Sequence, residues 1–374
     1  MSSSNNDVVI SRASPHTVKK FELIENYVRS WAQKLMLYDC CDGLIFIDCM
    51  CNSGVYHDDD GKEILGAPLR IANILRDVSG QYPRKHIFIY FNDMDKEKTD
   101  LLQSRLPKNK NNFNITVTTK DGNKLLKEIG PQLKQNSRLH FFLLYDPYDA
   151  SIDWNALSPF FRNWGEVLIN HMISDPIRAI RQVKTDKARQ KYMDTYLIDD
   201  LERLIPFGSD KNAYEQRLEE IIKVMKGSPN RKYYVASFPF FNTRNSLLYD
   251  LVHCTSNEKG FKLFKTTAWK TFGDKSSLKN RHGNEDQMIL DFNGNGIVTS
   301  EIDENCYNIN DIVDYLQRLF NGMQNVPLNN LWSILDEHPI FPSDGYKTQI
   351  KSLLKINYGA IISKSTITFS DRRQ

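Results

Sequence analysis

Apolar residues along this 374-residue chain follow two rhythms. From 16 to 37, Phe21, Ile24, Val28, Trp31 and Leu35 recur at helical spacing, which predicts an amphipathic helix with one buried face. Strand-like stretches come next: Leu44 to Ile47, His86 to Phe91, the shorter Asn114 to Thr118, Leu139 to Tyr145 and Glu166 to Asn170. Leu44 to Ile47 is continuous and apolar, as suits a strand covered on both faces in a parallel sheet. Helix-compatible stretches such as Leu69 to Leu75 lie between the strands, at lengths that parallel crossovers require.

The alternation breaks at Asp175-Pro176, and residues 175–230 read as a helical insertion. Strand character returns in Tyr233 to Phe238 and Leu247 to Val252, giving seven strands in all. The expected domain is therefore α/β, built from 15–174 and 231–270. Residues 1–14 read as a disordered tail, and 271–308 as a linker rich in Lys, Asn and Gly. In 309–374, helix signals at Ile312–Phe320, Leu328–Leu335 and Gly345–Leu354 precede two short β-like stretches, a winged-helix-like order.

Composition narrows this little. Hydrophobic content of 40% and a formal charge of +3 fit an ordinary globular protein and neither demand nor exclude nucleic acid. Arg178, Arg181, Lys184, Lys187, Arg189 and Lys191 crowd one stretch, which could track a phosphate backbone or form a solvated helix face. Apolar runs fall short of the roughly 20 residues a membrane helix needs. The N-terminus has no leader pattern. Cys40-Cys41, Cys49-x-Cys51, Cys254 and Cys306 match neither a zinc nor a disulfide spacing, so reduced thiols in a cytoplasmic protein are expected. His16 and His171 stand alone, and no metal site is expected.

The candidate chemistry lies in four acids, Asp48, Asp93, Asp121 and Asp146, spaced 45, 28 and 25 residues apart. Each closes or follows an apolar run. In an alternating strand–helix chain that rhythm delivers carboxylates to the carboxyl edge of the sheet, where ligands bind. A nucleotide-type cofactor is implied, S-adenosylmethionine ahead of NAD. Asp48 leads into Cys49-Met50-Cys51-Asn52-Ser53-Gly54, a turn with one glycine where a D-x-G-x-G-x-G loop has three. Asp93 suits ribose hydroxyls or a helix N-cap, and Asp121 an adenine amine or a turn. Asp146-Pro147-Tyr148-Asp149 puts an acid and an aromatic ring where a substrate meets a cofactor; it is also ordinary turn chemistry.

Taken in order, the motifs resemble a known family. They are His16-Thr17-x-x-Lys20 before Tyr27 and Trp31, Phe46-Ile47-Asp48 before Asn52-x-Gly54-x-Tyr56, and Gly66-Ala67-Pro68. Asp146-Pro147-Tyr148 before Ile152-Asp153-Trp154, Arg178, and Tyr233-Tyr234 through Ala268-Trp269-Lys270 complete the set. This order is similar to the three-Cys-motif partner (TcmP) proteins, which are bacterial and phage-associated. The resemblance covers about residues 15–365. It implies a Rossmann-like class I methyltransferase fold with a C-terminal winged-helix-like part, and a separate three-cysteine partner protein. An S-adenosylmethionine pocket would fall on Asp48, Asn52, Gly54, Asp93 and Asp121, with Asp146, Pro147 and Tyr148 at the acceptor. Cys51-Asn52 stands where the family tends to Ala-Gly, and Asp149 where it tends to Gly. Two functions are expected: methyl transfer to a nucleic-acid base or nucleotide-like amine, or a catalytically silent partner subunit in a phage- or defence-associated system.

Overall fold

The computed structural model describes residues 9–135, 138–147, 151–161, 165–172, 234–241, 247–277 and 306–371, with 187, 190, 193 and 194. Helix α1 (Pro15–Met36) starts where Ser14 accepts the Thr17 N–H and Pro15 presets the first turn. Its buried face carries Leu23, Ile24, Tyr27, Val28 and Trp31.

The strand signals become β2 (Gly43–Asp48), β5 (His86–Asp93), β6 (Phe113–Thr119), β7 (Leu139–Tyr145) and β8 (Gly165–His171). With β9 (Tyr234–Phe241) and β10 (Leu247–Thr255) they form a seven-stranded sheet, ordered β6-β5-β2-β7-β8-β10-β9. β2 lies parallel to β5 and β7, and β7 parallel to β8; β10 is antiparallel to β8 and β9. All six residues of β2 are buried, the reason its sequence shows no polar alternation. Phe238, Phe240 and Phe241 are core residues, and Pro239 is tolerated because β9 is an edge strand.

One apolar layer joins α1, α2 (Ala67–Gln81), α3 (Lys96–Arg105) and α6 (Glu258–Thr271) to the sheet; α4 (Gly122–Ile129) and α5 (Trp154–Phe161) cover the other face. The break between β8 and β9 coincides with the expected insertion. Of its basic residues only Lys187, exposed and helical, lies among the described residues. Among the described residues, no helix is long and apolar enough to cross a membrane.

The C-terminal part runs α7 (Ile309–Phe320), β11 (Val326–Pro327), α8 (Leu328–Glu337), α9 (Lys347–Tyr358), β12 (Ile361–Ile362) and β13 (Thr366–Thr368). Its strands form an antiparallel sheet, β11-β13-β12. It docks on α6, where the Trp269 indole donates to the Ile340 carbonyl at 3.0 Å and Lys262 pairs with Asp336 at 2.7 Å.

One expectation needs correction. Residues 9–14 are not a loose tail. β1 (Ser11–Arg12) pairs parallel with β3 (Val55–His57), which pairs with β4 (Glu63–Leu65), and the Ala13 N–H donates to the His57 carbonyl at 2.8 Å. Backbone hydrogen bonds hold this segment, and its polar side chains give no sign of them. The two- and three-residue strands are too short for an alternation to show.

Candidate functional site

Asp48 ends β2, the central strand, and Asp93 ends β5 beside it; they are 2% and 1% exposed. Between them the 50–54 loop turns back through positive φ at Asn52 (59°) and Gly54 (73°). Asparagine tolerates that region better than other side-chained residues, so the turn forms without a glycine at position 52. Met50, the poorer substitute, needs no positive φ. Its side chain lies against Gly122, where an added Cβ would come within 3.0 Å of Met50 Cε and 2.7 Å of the Cys49 carbonyl oxygen.

The loop is held from β5. Asp93 accepts the Asn52 N–H at 2.9 Å on one oxygen and the Asp95 N–H at 3.0 Å on the other. The Cys51 N–H donates to the Asn92 carbonyl at 2.8 Å. The Asn92 side chain donates to the Cys49 and Lys120 carbonyls and accepts from Thr118 and the Lys120 N–H. Those four bonds fill its capacity and lock three neighbouring strand ends together.

Asp146 follows β7. Lys20 Nζ from α1 donates to its Oδ2 at 2.8 Å, and Asn170 Nδ2 from β8 to its Oδ1 at 2.5 Å. Nζ lies 5.3 Å from the centre of the Tyr249 ring, whose hydroxyl donates to the His16 carbonyl at 3.2 Å. Half-buried Tyr56 completes this wall. Its hydroxyl is pushed above the usual phenol range by burial, then by the charges of Asp146 and Asp48, which puts all three in one electrostatic neighbourhood.

The structure thus brings Asp48, Asn52, Gly54, Asp93 and Asp146 to one edge of the sheet. Pro147 is buried there, and Tyr148 lies outside the described residues. Asp121 takes the capping role: its Oδ1 accepts the Lys124 N–H at 2.9 Å, and its side chain is exposed at the head of α4. The residues missed as site members are Lys20, Asn92, Asn170 and Tyr249. Asn92 and Asn170 sit at ends of buried strands, so extending the rule from carboxylates to any polar strand end would have found them. Tyr249 carried no such mark.

Burial pushes the Asp48 carboxyl up to about 8, and the Asp146 charge pushes the same way. The folded form keeps a proton that the unfolded chain releases near the ordinary carboxylate value of about 4. The sign follows: stability is greatest below that value and falls as pH rises toward 8, by at most about 1.4 kcal/mol per pH unit. Asp250, raised to about 7 by burial, acts in the same direction. The urea midpoint is expected to be lower at about pH 8 than at about pH 5, with a flatter dependence in Asp48→Asn. An identical slope in that variant would contradict the assignment.

The carboxylates suit a ribose-bearing cofactor. Asp93 accepts backbone N–H groups on both oxygens, and a carboxylate at such a strand end is the kind of group that takes ribose hydroxyls in nucleotide sites. Comparisons with known proteins add little. No family model matches the chain, and no curated protein matches it. Among solved structures, a Legionella pneumophila protein is 12% identical, covering 67% of this chain and 91% of its own, at TM-score 0.38. Human methyltransferase-like protein 13 in complex with SAH is 9% identical over 73% and 97%, at 0.33. A loganic acid methyltransferase with SAH is 11% identical over 70% and 87%, at 0.26. Likenesses this loose carry no weight for function, which must be argued from the site.

Proposed function

We propose that this chain binds S-adenosylmethionine at the carboxyl edge of its sheet and methylates a nucleotide-like amine. One observation carries the reading: Asp48, Asp93 and Asp146 converge there, with Asp93 tying down the turn that follows Asp48. Asp93 would take the ribose hydroxyls, Asn52 and Gly54 would shape the turn, and Asp121 would lie at the adenine end. When bound, the cofactor supplies an activated methyl group. The chain's own work is to orient the acceptor, and Asp146 is the group placed to hold an amine.

The three-Cys-motif partner resemblance is consistent with this reading and suggests a separate three-cysteine protein as partner. The helix–strand–helix–helix–strand–strand order of 309–368 supports a winged-helix-like module. With the basic stretch 178–191, it makes nucleic acid the first acceptor to try.

A silent scaffold is the second reading, and one observation favours it. Both Asp146 oxygens already have partners in Lys20 and Asn170. The two readings separate in a transfer assay with methyl-labelled S-adenosylmethionine, offered nucleosides, DNA and RNA. The enzyme reading expects label in one acceptor class and a loss of about 100-fold or more in Asp146→Asn. A folded protein that binds cofactor and labels no acceptor, its own chain included, supports the scaffold.

A further inference from the structure

We propose that Lys20 is a self-methylation site, its Nζ occupying the place on Asp146 that an acceptor amine takes. The inference rests on the cofactor reading above. Three features of the structure support it.

The nitrogen is held in place. Its side chain is 10% exposed, and Nζ reaches Asp146 Oδ2 at 2.8 Å while Asn170 fixes the other oxygen. The helix behind it is anchored as well. Tyr27, two turns further along α1, donates to Glu166 on β8, the strand that also carries Asn170. Withdrawing Lys20 by moving the helix would break that buried contact. The neighbouring Lys19 has a different setting, pairing with Glu22 at 2.7 Å with its side chain 30% exposed.

The surroundings also suit the product. Nζ lies between a carboxylate and the Tyr249 ring. A negative charge with an aromatic face holds an ammonium group with or without methyl substituents. The modified lysine can therefore stay where the unmodified one sits.

The transfer balances without any further reagent. Nζ first gives one proton to Asp146, whose side chain is 30% exposed and so can pass it to water. The freed lone pair forms the N–CH3 bond with the methylsulfonium donor. The S–CH3 bond breaks with its electron pair left on sulfur, so S-adenosylhomocysteine departs as a neutral thioether. The nitrogen, now a methylammonium, re-forms its pair with Asp146.

The test uses the full chain. Protein is digested as purified and again after incubation with methyl-labelled S-adenosylmethionine, and the peptide carrying Lys20 is weighed. A methyl increment at Lys20 is expected, with label lost in Lys20→Arg and in Asp93→Ala. A cofactor-free readout runs beside it: with formaldehyde and borohydride, Lys20 should react more slowly than Lys19, and the difference should narrow in Asp146→Asn. Calorimetry with S-adenosylhomocysteine keeps the two failures apart. Binding with Lys20 unmodified overturns this inference and leaves the cofactor reading standing, whereas no binding overturns both. Label spread over surface lysines, or equal formaldehyde reactivity of Lys19 and Lys20, also overturns it.

Discussion

Replacing Glu166 by alanine is expected to lower the unfolding free energy by about 3–5 kcal/mol, the cost of breaking a buried pair by removing one partner. Glu166 is 6% exposed, accepts the Tyr27 hydroxyl, and pairs with His253 Nε2 at 2.8 Å. His253 is fully buried and stacks on Phe264 at 4.3 Å, so only the Tyr27 hydroxyl, 3.4 Å away, is left to it once the carboxylate is gone. Gly260 belongs to the same arrangement, since a Cβ there would collide with Glu166. This cluster joins α1, β8, β10 and α6, so the loss should appear as global unfolding in urea. Glu166→Gln, which keeps the shape and one acceptor, should lose less. A loss under about 1 kcal/mol in the alanine variant would mean that the pair is not a structural tie.

The second large effect is expected at Lys265. Its side chain is fully buried on α6, and its Nζ donates to the carbonyls of Leu335 and His338 at 2.7 Å each and of Asp336 at 3.2 Å. These close the C-terminal end of α8, where carbonyls have no partner within the helix. Burial pulls the Lys265 ammonium down to about 7, yet three carbonyls call for all three of its protons. The Phe261 ring, 4.2 Å from Nζ, favours the charged form too. Lys265→Ala removes the donor from all three; Leu335 keeps the His338 N–H at 3.2 Å, and each of the others costs about 1–3 kcal/mol where water cannot reach it. Hydrogen exchange should accelerate across 328–341 before it does in the sheet. Uniform exchange across the two parts would show that Lys265 does not set their docking.

Much of the sheet was legible because a strand buried on both faces must be apolar at every position. Leu44 to Ile47 and Leu139 to Tyr145 could be little else. The site acids were legible for the related reason that a charge ending such a run marks the sheet edge. Partners distant in the chain were not. Lys20 and Asp146 lie 126 residues apart, and Tyr27 and His253 lie 226 apart, with no local pattern to link them. Lys20 sits on an amphipathic helix whose period explains its apolar neighbours and says nothing about one buried cation. Asp121 shows the opposite difficulty: a capping acid and a ligand-binding acid look alike in sequence, and the Lys124 N–H at its oxygen is compatible with both.

The most direct measurement is isothermal titration of the purified protein with S-adenosylmethionine and S-adenosylhomocysteine, beside Asp93→Ala and Asp93→Asn. Losing two hydroxyl bonds to a carboxylate in Asp93→Ala, at about 1.5–3 kcal/mol each, corresponds to a drop in affinity of about 100-fold or more. Asp93→Asn, which keeps one acceptor, loses about 10-fold or more. Micromolar binding by the natural chain, weakened to those extents in variants that still unfold cooperatively, is the expected result. No heat at millimolar ligand, or equal affinity in the variants, would contradict a cofactor pocket at Asp93.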